Sequence, residues 1–272
     1  RAVRYTSDRA RLAAPADGHA DLAARALFYT VADAAKVAVP LADLGEAVRA
    51  PRLRISDVGA GCGAMSLGCL AFLASAAPSV QVELTLLDRD APALAIAAAA
   101  LRQVAHAWRL SVAVATQVVD ATAAGFHCPP ADLVLAGTVL NELAPPADER
   151  ALAAMVGALS AGPTTPGSLV IVEPALSTTT RRLHALRDHV LASTELQVAG
   201  PCTHRQRCPM LAHDGWCHEH RTQGLPARAH AISRATGLRD DGARFSYLAL
   251  THAQIAAAQP QQRVVAAPHA SK

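Results

Sequence analysis

The chain has 272 residues, of which 51% are hydrophobic and 17% charged, with a net charge of +3. This length and apolar content exclude a largely disordered chain and predict one large domain, or two modest ones, with a real core. No apolar run reaches the roughly 18 to 20 residues of a bilayer-spanning helix, and the Arg1 start is followed by no charged-then-apolar leader, so a reduced, cytoplasmic setting away from the membrane is the expectation.

Residues 1–50 carry Ala- and Leu-rich stretches with polar residues at helical intervals, which predict a helical N-terminal extension. From Leu53 the texture changes to short apolar runs, each followed by a turn and most by a longer helical segment, the alternation of βα units on a parallel sheet. The predicted strands are Leu53 to Val58, Val82 to Leu87, Leu110 to Val119, Leu133 to Ala136 and Ser168 to Val172. Helices are expected near Ala64 to Ser75, Pro92 to Ala107, Ala147 to Leu159 and Thr179 to Ser193. Residues 51–199 therefore read as a doubly wound α/β core. Over residues 200–223 the pattern stops in a Cys-, His-, Pro- and Gly-rich stretch with too few aliphatic residues to build a core. Residues 224–272 resume it, with a short helix at Ala227 to Ala235, a strand at Phe245 to Leu250 and another at Arg263 to Ala266, as the C-terminal and incomplete part of the same core.

The first strand runs into Asp57-Val58-Gly59-Ala60-Gly61-Cys62-Gly63, directly before a helix. Glycines let the backbone turn tightly and approach a ligand, and the following helix offers free amide donors. Gly59, Gly61 and Ala64 fit a dinucleotide loop, whereas Gly59, Gly61 and Gly63 behind Asp57 fit the loop of S-adenosylmethionine enzymes. Asp88, ending the second strand, is placed to accept hydrogen bonds from ribose hydroxyls, and Asp120, after the third, to accept one from an adenine amino group. So many acids would repel a pyrophosphate. They suit the sulfonium and ammonium of S-adenosylmethionine, which is the favoured ligand over NAD. After the fourth strand, Asn141 and Glu142 stand at the carboxyl edge where open α/β sheets bind ligands, and are the candidate catalytic pair; capping of the next helix is the competing role. The Asn/Asp-Pro-Pro-aromatic motif of many amino-group methyltransferases is absent.

Cys62, Cys69 and Cys128 read as packing residues. Cys202, Cys208 and Cys217 fall together with C-x5-C-x8-C spacing, which is not the paired-knuckle pattern of a zinc ribbon. Three thiolates, two of them beside prolines, are compatible with an iron–sulfur cluster, and three thiolates plus one imidazole from His204, His218 or His220 with zinc. From Ala175 onward there are twelve basic against six acidic residues and nine of the twelve histidines, which points to an anionic partner for that region.

The loop Asp57-Val58-Gly59-Ala60-Gly61, the stretches Val139-Leu140-Asn141-Glu142-Leu143 and Val172-Glu173-Pro174, the Cys202/Cys208/Trp216-Cys217-His218 segment and Phe245-Ser246-Tyr247-Leu248 occur in this order. Together, from about Tyr5 to the end, they resemble the methyltransferase-like assembly family of the small ribosomal subunit, which has mitochondrial members and bacterial relatives. The resemblance implies a class I S-adenosylmethionine methyltransferase fold, Rossmann-like with a mostly parallel sheet and a Cys-rich metal-binding insertion. It further implies association with small-subunit rRNA and a four-iron four-sulfur cluster on four cysteines. Three of those positions match Cys202, Cys208 and Cys217, and the fourth is expected beyond Lys272. Thr203 and Glu219 depart from the family's usual proline and aromatic. Two functions follow as expectations: S-adenosylmethionine-dependent methylation of small-subunit rRNA in ribosome assembly or translation, or a non-catalytic rRNA-binding assembly factor that retains the pocket and a metal cluster.

Overall fold

The computed structural model describes residues 19–143, 147–159, 167–202, 204–222, 224–237 and 242–255. Five parallel strands follow the sequence expectation closely: β1 (Arg52–Val58), β2 (Gln81–Asp88), β3 (Ser111–Val118), β4 (Leu133–Gly137) and β5 (Ser168–Pro174). A short strand β6 (Gln197–Gly200), a shorter one, β7 (Glu219–Arg221), and the long β8 (Ala243–Thr251) complete one sheet in the order β3-β2-β1-β4-β5-β8-β6. β8 runs antiparallel to β5 along its whole length, from Ser168 opposite Thr251 to Pro174 opposite Phe245. Its other edge is shared by β6 at one end and β7 at the other. Neither β6 nor β7 is foreseen by the periodicity reading, because four and three residues are too few to show an alternation. The expected strand at Arg263 to Ala266 lies outside the described residues.

Inward and outward positions alternate along the strands and divide the core in two. Leu133, Leu135 and Val170 face one layer with Ile55, Leu84 and Leu101. Val134, Ala136, Leu169 and Ile171 face the other with Met155, Leu183 and Leu186. The first layer is closed by α4 (Ala64–Ala76) and α5 (Ala91–Ala107), the second by α6 (Ala147–Gly157) and α7 (Ser177–Ser193). α5 starts where expected because Pro92 lies in its first turn and Asp90 accepts from the Ala93 amide at 3.0 Å. A last helix, α8, covers Ala227–Thr236.

The N-terminal helical segment is more than an extension. It runs through α1 (His19–Ala24), a π turn (Arg25–Tyr29), α2 (Thr30–Ala34), a 3-10 turn, α3 (Ala38–Leu44) and a final 3-10 turn (Gly45–Val48). Val37, Leu41, Leu44 and Val48 are buried within the first core layer. The approach is close enough that a Cβ on Gly68 of α4 would lie 1.7 Å from the Ala34 carbonyl oxygen. Among the described residues, no helix is long and apolar enough to cross a membrane.

Candidate cofactor site and cysteine loop

β1 ends in the turn that the glycines predict. Gly59, Gly61 and Gly63 all have positive φ (68°, 50° and 87°), a region that L side chains enter only at a cost. Each glycine meets a different constraint. A Cβ on Gly59 would lie 2.6 Å from Val139 Cγ2, and one on Gly63 3.1 Å from Ala97 Cβ, whereas one on Gly61 would meet nothing within 4 Å. Gly61 thus lines open space. Asp88 holds the turn: Oδ2 accepts from the Gly61 amide at 2.7 Å and Oδ1 from the Asp90 amide at 2.8 Å. A carboxylate has about four lone-pair sites, so two remain for hydroxyl donors.

Asp57 has a different position from the one expected. It is 1% exposed, and its Oδ2 accepts from the Ser66 amide at 3.1 Å and the Ser66 hydroxyl at 2.5 Å, which ties β1 to the first turn of α4. Burial pushes its carboxyl up to about 7. Asp57 therefore supports the turn from beneath and does not line it. Asp120 is exposed just beyond β3, where hydrogen bonds from Thr122 and the charge of Arg89 hold its pKa down.

At the end of β4 the backbone is strained: Thr138, a β-branched residue, has φ 61°. Its amide donates to the Val172 carbonyl, and Val139 then packs against Gly59. The following turn, Leu140–Glu142, is gripped by Glu173 at the end of β5. Glu173 Oε1 accepts from the Leu140 amide at 3.0 Å and Oε2 from Asn141 Nδ2 at 2.6 Å. Glu173 is 2% exposed, and burial pushes it up to about 7 against those two bonds. Asn141 is thus fixed by its amide nitrogen, leaving the side-chain oxygen as its acceptor. Glu142 reaches the surface, yet desolvation raises its pKa, with Asp88 adding to the rise and Arg89 and Arg25 opposing it. The structure therefore brings Gly59, Gly61, Gly63, Asp88, Asn141 and Glu142 to one carboxyl edge. Sequence reasoning missed Thr138, Glu173 as the anchor of Asn141, and Arg25. Glu173 had a visible signal, an acid directly after the apolar run Leu169 to Val172; Thr138 and Arg25 had none.

Cys202, Cys208 and Cys217 lie elsewhere, on the loop between β6 and β7, against α7. Burial first, then the neighbouring thiols of Cys202 and Cys208, push Cys217 up to about 12. The three sulfurs are near enough to feel one another. Among the described residues, however, no group of three or more His, Cys, Asp or Glu side chains is arranged to hold a metal ion. The expected iron–sulfur or zinc insertion is therefore not supported by this geometry. Side chains of α7 hold the loop by hydrogen bonds. Arg187, 2% exposed, donates to the His204 carbonyl at 2.6 Å and the Gln206 carbonyl at 2.7 Å. Asp188 accepts from the Cys208 amide at 3.0 and 3.1 Å. Arg181 donates to the carbonyls of Met210 (2.9 Å), Gly215 (3.1 Å) and His213. Ser246 of β8, opposite Glu173 in register, donates to the Cys217 carbonyl at 2.9 Å. The Nδ1 atoms of His204 and His218 are buried without a hydrogen-bond partner, and His220 is exposed.

The chain is similar in structure to a candidate RNA methyltransferase from Pyrococcus horikoshii, with 11% identity, TM-score 0.45 and coverage of 80% of this chain and 83% of that one. It is also similar to the plantazolicin methyltransferase BpumL in complex with S-adenosylhomocysteine, with 12% identity, TM-score 0.46 and coverage of 85% and 88%. A candidate class I S-adenosylmethionine-dependent methyltransferase from Listeria monocytogenes shows 14% identity, TM-score 0.47 and coverage of 85% of this chain and 62% of that one. No curated protein matches. The family described as mitochondrial small ribosomal subunit Rsm22 matches residues 23–272.

Proposed function

The chain belongs to the mitochondrial small ribosomal subunit Rsm22 family, and from that premise we propose that it binds S-adenosylmethionine over the Gly59–Gly63 turn and acts with it on small-subunit rRNA. The observation that carries the cofactor reading is the open space over Gly61, framed by three glycines at positive φ and gripped by Asp88. In this reading Asp88 takes the ribose hydroxyls, Asp120 the adenine amino group, and Asp57 acts through Ser66 to hold the turn. When bound, the cofactor supplies the methyl electrophile, so this chain's own residues need only position an acceptor and exclude water. Asn141, locked by Glu173, presents its side-chain oxygen to an N–H donor of a nucleotide base, and Glu142, its pKa raised, is placed to take a proton. The rRNA contact is assigned to the exposed arginines around the cysteine loop and α8, namely Arg205, Arg207, Arg221, Arg228 and Arg234.

A non-catalytic assembly factor that keeps the pocket is favoured by one observation: the amide nitrogen of Asn141 is committed to Glu173, as in a structural lock. One experiment separates the two. The purified protein is titrated with S-adenosylhomocysteine, then incubated with small-subunit rRNA and methyl-labelled cofactor. Binding with label in rRNA, lost in Asn141→Ala, is the expected result. Binding without label supports the assembly factor, and no binding overturns the cofactor reading. The iron–sulfur or zinc reading of Cys202, Cys208 and Cys217 rests on the family resemblance and the nearness of the three thiols. Anaerobic purification with metal analysis, on wild type and Cys208→Ser, decides it.

A further inference from the structure

We infer that Arg25 is the cation that receives the carboxylate of the cofactor's amino-acid end, so that the N-terminal helical segment forms one wall of the cofactor site. The inference rests on the cofactor reading above and deepens it. S-adenosylmethionine carries a sulfonium, an ammonium and a carboxylate. The two cations suit an edge lined by Asp88, Asp90, Asp120 and Glu142, but the carboxylate entering among those acids is repelled unless a cation meets it.

Geometry says where that cation must stand. The ligand is linear, with adenine, ribose, sulfur and amino acid in that order. With ribose on Asp88 at the end of β2 and adenine beside Asp120 beyond β3, the sheet order β3-β2-β1-β4 sends the amino-acid end toward the turn after β1. Two arginines, Arg25 and Arg89, face this edge, and both bear on Asp90 and Glu142. Of the two, only Arg89 bears on Asp120, the side assigned to the base. Only Arg25 bears on Cys62, within the glycine turn, and Thr30 of the same helical segment donates its hydroxyl to the Arg25 carbonyl at 2.9 Å.

Arg25 is also prepared for the task. Its Nη2 donates to Asp90 Oδ2 at 2.5 Å, and its Nε lies 3.4 Å from Asp21 Oδ2. The Asp90 amide in turn donates to Asp88, which holds Gly61. Arg25 is thus joined to the turn through two carboxylates. Its Nη1 has no partner among the described residues, and the side chain is 19% exposed, enough for a small anion to reach. It stands at the start of a π turn, a local widening of the helix that is frequent at functional sites. A guanidinium pinned on one edge and open on the other loses little entropy when it binds a carboxylate.

The test compares S-adenosylhomocysteine with its decarboxylated analogue, which keeps the ammonium, by calorimetric titration of wild type, Arg25→Gln and Arg25→Lys. Wild type is expected to prefer the carboxylated ligand, a preference read without any substitution. Arg25→Gln is expected to lose about 10-fold or more in affinity for S-adenosylhomocysteine while changing less than about 2-fold for the analogue, as befits loss of one charge-assisted contact. Arg25→Lys recovers part of the loss. Equal loss on both ligands means that Arg25 only holds the turn and overturns the inference, as does equal wild-type affinity for the two. If wild type binds neither ligand, the cofactor reading itself has failed.

Discussion

At the residue scale, the site depends on the few positions where the backbone leaves its ordinary range. Thr138 is held at φ 61° by its bond to Val172, and the strain places Val139 against the one face of Gly59 that tolerates no Cβ. Gly59 and Gly61 share a left-handed conformation but answer to different neighbours, and substitution separates folding from binding. Gly59→Ala adds a clash at 2.6 Å to the cost of a positive φ and is expected to lower stability by about 3 kcal/mol. Gly61→Ala incurs only the conformational cost, about 1 kcal/mol, yet its methyl group fills the space the ligand needs. It should leave the thermal midpoint within a few degrees of wild type and weaken S-adenosylhomocysteine at least ~10-fold. Thermal melts and titration of both variants check this; the opposite ranking would remove Gly61 from the ligand site.

At the scale of elements, the cysteine loop shows how far a sequence can be read and where it stops. The parallel strands, the helices between them and the glycine turn were all legible, since burial on a sheet leaves periodic apolar runs and a tight turn leaves glycines. The seating of Asp57, Asn141 and the cysteine loop was not. Side chains from distant elements decide each of them: Ser66 claims Asp57, Glu173 claims Asn141, and the arginines of α7 claim the loop carbonyls. A stretch too poor in aliphatic residues to build a core is held to the fold by hydrogen bonds of Arg181, Arg187 and Asp188. Arg187→Leu removes a buried clamp and leaves the His204 and Gln206 carbonyls without their donor, at an expected cost of about 3 kcal/mol. The variant should label faster at Cys202, Cys208 and Cys217 while the core thiol of Cys69 stays protected, as mapped by mass spectrometry. Unchanged labelling would mean that something other than α7 orders the loop.

At the scale of the whole molecule, two carboxyls buried on opposite sides of β4 set the response to pH. Asp57 and Glu173 are each pushed up to about 7 by burial, from unfolded values near 4. The folded state therefore holds protons that the unfolded chain releases between pH 4 and 7, and their contribution to stability, full below about pH 4, is lost as pH rises through 7. For one carboxyl the whole span amounts to about 4 kcal/mol. His184 works the other way: burial first, then Arg181 and Arg187, hold it down to about 4, so its contribution is lost as pH falls from 6.5 toward 4. Two carboxyls outweigh one imidazole over pH 4.5 to 6.5, and above 6.5 the carboxyls act alone. The thermal midpoint is accordingly expected to fall from pH 5 to pH 8. Asp57→Asn keeps an oxygen for the Ser66 amide and hydroxyl but removes the titration, so it should shrink that fall by about half while matching wild type most closely near pH 5. Melts of both proteins at constant ionic strength across this range test the assignment, and parallel curves for the two would mean that Asp57 ionises in the fold as it does in the unfolded chain.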